Sequence, residues 1–306
     1  MIPLLLALSI AFPRAGERVA HVEKCYMIGA VEPGRATISV QGREVGVYRT
    51  GAWATLVDVV EGTNRIDVAG SNHWFVVSGK PAPSASGKPR EFKKLPYAGD
   101  SPRPHPAGRS RSEITIVVDP GHGGADPGAL SPHGIEEKDA NLRLAAAFRG
   151  ELERRGYKVA MTRTSDEELA LVDRPRLAHR LNADAFISIH HNAPPIMRNP
   201  SGIRYSAVYA WNDIGERLAL KLSRRLAEAL AGEIPDKGVR RANFAVVRNP
   251  EIPSCLLEID FITDPAGEEA SWNPERRRRV AEALADGVDD WSGCGDFSER
   301  PSGRAR

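Results

Sequence analysis

The sequence predicts two folded regions of different class: a small all-β sandwich followed by an α/β domain. Three observations carry this expectation. Short alternating runs broken by turn residues fill positions 20–78, and near-continuous apolar runs alternate with amphipathic segments over 113–291. Between them lies a stretch almost without large apolar residues. At 306 residues the chain is long enough for two domains and a sizeable core. The net charge of +2 gives no electrostatic footprint for nucleic acid.

The first element is "MIPLLLALSIAFPRAG", residues 1–16. Its apolar run Ile2–Phe12 is too short to span a bilayer and has the length of a signal-peptide core, so 1–16 is read as an export signal. The competing reading is a buried first strand, because no Lys or Arg precedes the run and no Ala-x-Ala site follows it. No transmembrane segment is expected. Residues 20–78 follow with runs such as "ATISV", "VGVYR" and "NRIDVAG", separated by the turn signals "EPGR", "QGRE", "TGA" and "EGTN". Strands at this spacing suggest a small sandwich. The stretch "CYMIGAVEPGRATISVQGREVGVYRTGAW" resembles the immunoglobulin-like modules appended to bacterial envelope enzymes. Trp53 and Trp74 read equally well as core residues or as a sugar platform. Residues 79–112 are rich in Pro, Gly, Ser and basic side chains and cannot bury enough surface to offset their ordering entropy, so they read as a linker.

From 113 to 291, "ITIVVD" and "AFISIH" are apolar runs of strand length, as expected of a sheet covered on both faces. Leu144, Phe148 and Leu152 recur at helical spacing up to Gly156. Leu218, Leu222, Leu226 and Leu230 do the same up to Gly232. Val280, Leu284 and Val288 form a third stripe, whose helix Asn273 can cap with Pro274 in its first turn. The basic run Arg276–Arg279 reads as a solvated face of that helix, and residues 292–306 as a loose tail. Cys25, Cys255 and Cys294 lack metal spacing, and an odd count cannot make a complete disulfide framework.

Ligands of open α/β sheets bind beyond the carboxyl ends of the strands. His122 follows "ITIVVDPG", His190 ends "AFISIH", and Glu258 sits in "CLLEIDF". Glu137 lies where "HGIE" leads into a helix. One rim would thus hold two imidazoles and two carboxylates. Zinc takes imidazole nitrogen and carboxylate oxygen, with three protein ligands in a catalytic site. A second carboxylate held off the metal can take a proton from water. Individually, a histidine after a strand is more often structural, and a glutamate at a helix start is favoured there by the dipole. Glu258 in an apolar run is harder to read that way.

The blocks "IVVDPGHGGADPGA…GIEEKDANLRLA", "VAMTRTSDEELALVDRPRLAHRLNADAFISIHHNA" and "GVRRANFAVVRNPEIPSCLLEIDFIT" resemble the zinc-dependent N-acetylmuramoyl-L-alanine amidases of bacterial cell-wall turnover. The likeness covers roughly 114–291 and keeps the family's motif order. It implies a mixed or mostly parallel sheet flanked by helices, with His122, Glu137 and His190 as ligands of one zinc ion and Glu258 as the catalytic base. The implied reaction is hydrolysis of the amide joining N-acetylmuramic acid to the first L-alanine of the stem peptide. The implied location is the periplasm or cell envelope, with peptidoglycan as partner. Two other readings stand beside it: a peptidoglycan-binding protein that has lost catalysis, and a zinc peptidase cutting a different cell-wall amide.

Arg163 and Arg174 match family arginines and either pair with a substrate carboxylate or brace the fold. His191 should face away from His190 along its strand. His133 and His179 read as surface or helix residues, and His105 as a solvated linker residue. Asp260 stands where the family has glycine and would either raise the pKa of Glu258 or face solvent. The segment between His190 and Glu258 has room for one strand and one helix, leaving little for an inhibitory plug, so no activator is expected.

Overall fold

The structure, a computed structural model, describes residues 8–20, 22–78, 106 and 108–294. Eight strands form the N-terminal domain: β1 Ser9–Phe12, β2 Arg18–Val19, β3 Lys24–Ala30, β4 Thr37–Val40, β5 Arg43–Gly46, β6 Ala52–Asp58, β7 Gly62–Val68 and β8 Ser71–Val77. They make a three-stranded sheet in the order β1-β3-β6 and a five-stranded sheet in the order β2-β8-β7-β4-β5. Inward residues of both sheets, among them Met27, Trp53, Ile66, Val68 and Phe75, share one core. That is sandwich packing. Trp53 is fully buried, whereas Trp74 is exposed.

This domain begins earlier than position 20. Over Ser9–Phe12 the segment read as an export signal is a strand that pairs antiparallel with β3, Ser9 opposite Ala30. Ala11 is buried, and the Phe12 ring lies 4.9 Å from that of Tyr26. An apolar run of this length satisfies a signal core and a buried strand equally, and here the edge of β3 supplies the strand's partner. Residues 1–7, the start of that segment, lie outside the described residues.

The second domain holds β9 Thr115–Pro120, α1 Glu137–Arg154, β10 Lys158–Met161, α2 Asp173–Arg180, β11 Ala185–Asn192, β12 Ser206–Ala210, α3 Asp213–Ala229, β13 Asp236–Arg241, β14 Ser254–Phe261, α4 Pro265–Trp272 and α5 Pro274–Ser292. Its sheet runs β10-β9-β11-β14-β12-β13. β10, β9, β11 and β14 are mutually parallel, and β12 and β13 run against them, so the sheet is mixed. Alternate strand residues sort to two faces. Ile116, Ile187, Ile189 and Leu257 meet the leucine and valine stripes of α1, α3 and α5. Val117, Phe186 and Leu256 meet Ala178 of α2 and Val246 of a single helical turn. The cap of α5 is as expected, with Asn273 accepting hydrogen bonds from the Glu275 and Arg276 amides ahead of Pro274.

Two further expectations change. Positions 108–112 of the proposed linker lie against the α/β domain: Arg109 pairs with Asp184 and Arg111 with Asp289. Residues 79–105, His105 among them, lie outside the described residues, as do 295–306 of the tail. Arg276 is not part of a solvated face. It is buried and pairs with Asp260 at 2.9 Å and Glu233 at 2.8 Å, because α5 packs its first turn against the end of β14.

The sandwich is docked on its neighbour. The Tyr26 amide donates to the Ile196 carbonyl at 2.9 Å, and the hydroxyls of Tyr48 and Ser201 lie 2.9 Å apart. His133 Nε2 donates to the Thr50 carbonyl at 3.1 Å, and Arg49 pairs with Glu269. Among the described residues no helix is long and apolar enough to cross a membrane.

Candidate metal centre

Two parallel strands build one side of the site. β11 and β14 run in register with His190 opposite Glu258, so both side chains leave the same face at the carboxyl end of the sheet. One step on, Asn192 faces Phe261, leaving an extra residue in β14. This bulge re-aims the strand. Asp260 neither faces solvent nor raises the Glu258 pKa; it is fully buried and forms ion pairs with Arg204 and Arg276.

An irregular loop builds the other side. β9 stops at Pro120, and His122 has φ +61, a left-handed conformation that non-glycine residues adopt reluctantly. Two buried arginines hold this turn. Arg163 donates to the Pro120, Gly121, Lys138 and Ser165 carbonyls. Arg174 donates to Asp119 and to the Pro120, His122 and Leu169 carbonyls. Both are about 97% or more buried with their donors turned to this turn and its neighbours, which favours bracing over substrate pairing among their two readings. The approach is close enough to require glycine. A Cβ at Gly121 would lie 2.1 Å from His190 Cε1, and one at Gly128 would lie 2.6 Å from Glu137 Oε2.

The two sides meet at Glu137, the first residue of α1. Its Oε1 accepts from His190 Nδ1 at 3.0 Å, from Asn141 Nδ2 at 3.1 Å and from the His191 amide at 3.1 Å. His122 Nε2 lies 3.2 Å from the same oxygen, and Oε2 accepts from the Ala129 amide at 2.9 Å. One donor atom from each of His122, Glu137 and His190 lies within 4.8 Å of the others. Two nitrogens and a carboxylate oxygen form a donor set suited to zinc. The far nitrogen of His122, Nδ1, is 2.8 Å from Asp126 Oδ2, the carboxylate–imidazole arrangement that orients a metal-binding ring.

The electrostatics are those of close imidazole–carboxylate pairs in a buried setting. Burial favours neutral His122, but the hydrogen bond and charge of Glu137, with Asp126 behind them, lift its pKa to about 9. Burial also opposes charge on Glu137, yet the two imidazoles hold its carboxyl well below the usual range. Burial pushes Glu258 up to about 7; His190 and His122 pull it down while Glu137 adds to the rise. Glu258 Oε2 is buried without a hydrogen-bond partner. An acceptor left bare in this way is costly unless it has a task.

The remaining histidines separate cleanly. His191 turns to the opposite face, where its Nδ1 meets Asn141 Oδ1 at 2.8 Å and burial lowers its pKa to about 4. His179 is exposed on α2. His133 is not a surface residue: its ring is buried between Glu268, 2.8 Å from Nδ1, and Thr50. Its apparent freedom in the sequence came from the distance of both partners along the chain. Asp126 and Asn141 escaped the sequence reading, although each lies four residues from a ligand, and for Asn141 that spacing on α1 puts it on the same helix face as Glu137.

Residues 116–290 match the family described as N-acetylmuramoyl-L-alanine amidase. N-acetylmuramoyl-L-alanine amidase AmiC of Neisseria meningitidis serogroup B is 34% identical over 59% of this chain and 53% of its own length. Probable cell wall amidase LytH of Staphylococcus epidermidis is 36% identical over 57% of each chain. Among solved structures, the catalytic domain of CwlV, an N-acetylmuramoyl-L-alanine amidase from Paenibacillus polymyxa, superposes with a TM-score of 0.56 at 28% identity. That likeness covers 60% of this chain and 99% of the solved one. The chain spans little more than half the length of the curated relatives it matches.

Proposed function

The chain belongs to the N-acetylmuramoyl-L-alanine amidase family, and from that membership we propose that it hydrolyses the amide between N-acetylmuramic acid and L-alanine in peptidoglycan, outside the cytoplasm. The observation that carries the reading is the buried, unpartnered Glu258 Oε2 beside a carboxylate held between two imidazoles. His122, Glu137 and His190 would hold one zinc ion. When bound, zinc supplies Lewis acidity, acidifying water and polarising an amide carbonyl.

The chain's own residues do the rest. Glu258 takes the proton of the attacking water on Oε2 and returns it to the departing alanine nitrogen, a task suited to a carboxylate whose burial raises its pKa towards neutrality. Asp126 keeps the His122 ring in one tautomer and orientation. Arg163 and Arg174 keep the His122 turn from relaxing, so the ligands need little ordering when the ion arrives.

No activator is needed. α3, the only long helix between His190 and Glu258, packs on the sheet face shared with α1 and α5, away from the metal side. A binding protein without catalysis is disfavoured because all four chemical groups are present and converge. Digestion of purified sacculi, with and without a chelator, tests the proposal. Stem peptides beginning with L-alanine should appear only without chelator. Fragments cut at another bond would turn the reading to a peptidase of different specificity.

A further inference from the structure

A cleft of about 550 Å³ separates the sandwich from the metal-site loop. Phe12, Arg14, Glu17 and Tyr26 line it from the N-terminal domain, and Gly128 and Leu130 from the α/β domain. The wall it shares with the metal centre is the loop of residues 127–130, where a Cβ at Gly128 would lie 2.6 Å from Glu137 Oε2 and 2.7 Å from the His122 ring. We propose that this cleft is the peptide-binding arm of the active site and that Arg14, supplied by the sandwich, binds a carboxylate of the stem peptide; this rests on the amidase reading above.

Charge and position give the occupant. Arg14 is the only cation among the residues lining the cleft, and its side chain is 58% exposed. Its contact with Glu136 is a loose 3.5 Å, and Glu136 also pairs with Lys138 at 3.1 Å. Glu17, which also lines the cleft, is engaged through Oε2 by the Arg14 backbone amide at 2.6 Å and not by the guanidinium. The guanidinium therefore has donors available for a carboxylate, the group that its planar fork suits best. Phe12, Tyr26 and Leu130 give the cleft an apolar wall for a peptide's side chains. The hydrogen bonds His133–Thr50 and Tyr26–Ile196 hold the sandwich on the α/β domain, with Arg14 3.5 Å from Glu136, the residue before Glu137. On this account the sandwich forms part of the site and helps select the substrate.

The test uses the full chain, loaded with zinc, and two synthetic compounds. One is an N-acetylmuramoyl peptide with free stem carboxylates, and the other is the same peptide with those carboxylates amidated. The wild type should prefer the free acid about tenfold in KM, with similar kcat. Arg14→Gln should abolish the preference by raising KM for the acid without changing kcat, and Arg14→Lys should restore part of it. Ala15→Trp, which narrows the cleft from an exposed position, should raise KM for both compounds. Release of peptide with an unchanged acid preference in the Arg14 variants overturns this inference alone. A wild type that releases peptide from neither compound overturns the amidase reading, and this inference falls with it.

Discussion

The two walls of the metal centre achieve the same placement by different means. On the β11–β14 wall, His190 and Glu258 sit opposite each other in a parallel ladder, so backbone hydrogen bonds deliver both side chains to one face. On the loop wall, His122 and Glu137 come from a left-handed residue and a helix start, with no ladder between them. Their positions depend on Arg163, Arg174, Asp126 and the loop to Ser131 and His133, which Glu268 fastens. A ladder positions side chains as a by-product of sheet formation. An irregular loop needs buried polar partners, each of which would be costly if left alone.

This contrast can be broken or sharpened by substitution. The largest effect should come from the strand wall and touch chemistry only. Glu258→Gln keeps shape and register, so kcat should fall about 10³-fold while bound zinc stays at wild-type content, read by kinetics and metal analysis on the same sample. Substantial residual turnover would show that the strand wall carries no proton transfer.

The loop wall should fail through stability. Arg174→Ala leaves Asp119 as a buried carboxylate with only Thr162 and Ser188 as side-chain partners. A loss of about 3–5 kcal/mol is expected in urea unfolding. A loss below 1 kcal/mol would mean that the turn at His122 holds without its brace. A gentler probe of the same wall is Asp126→Ala, which removes the partner of His122 Nδ1 and should weaken zinc binding about 10–100-fold in competition with a chelator.

The smallest effect concerns the joint between the domains. Burial lowers the His133 pKa, but the hydrogen bond and charge of Glu268 outweigh it, so the folded value lies above 6.5. A raised folded pKa gives stability that is complete below the unfolded value and disappears as pH rises through the folded one. The wild type should therefore exceed His133→Gln in stability by roughly 1 kcal/mol at pH 6. That margin should shrink at alkaline pH, as compared by denaturant midpoints. A margin that grows with pH would show that the imidazole is neutral in the fold.

Much of the architecture was legible in the residues. The stripes Leu218–Leu230 and Val280–Val288, the Asn273 cap and the strand ends carrying His122 and His190 all depend on local periodicity and local turn chemistry. The four candidate site residues were legible as a rim pattern, and resemblance sorted which glutamate stood where. What misled was local ambiguity: the Ser9–Phe12 end of the first apolar run fits a signal core or a strand, and Arg276 fits a solvated face until β14 lies beside it. The basic residues at 108–112 looked like linker because their partners, Asp184 and Asp289, are far along the chain.

By itself the sequence determined the class of each domain, the helix stripes and the set of groups available for chemistry, because these follow from the side chains and their spacing. Only the tertiary structure decided how each charge was used. Arg163 and Arg174 became braces, Asp260 was turned by a bulge towards Arg276, and His133 became a bolt between domains. The physical reason is that a buried charge is settled by whatever partner folding brings within hydrogen-bond reach, and that partner is set by topology.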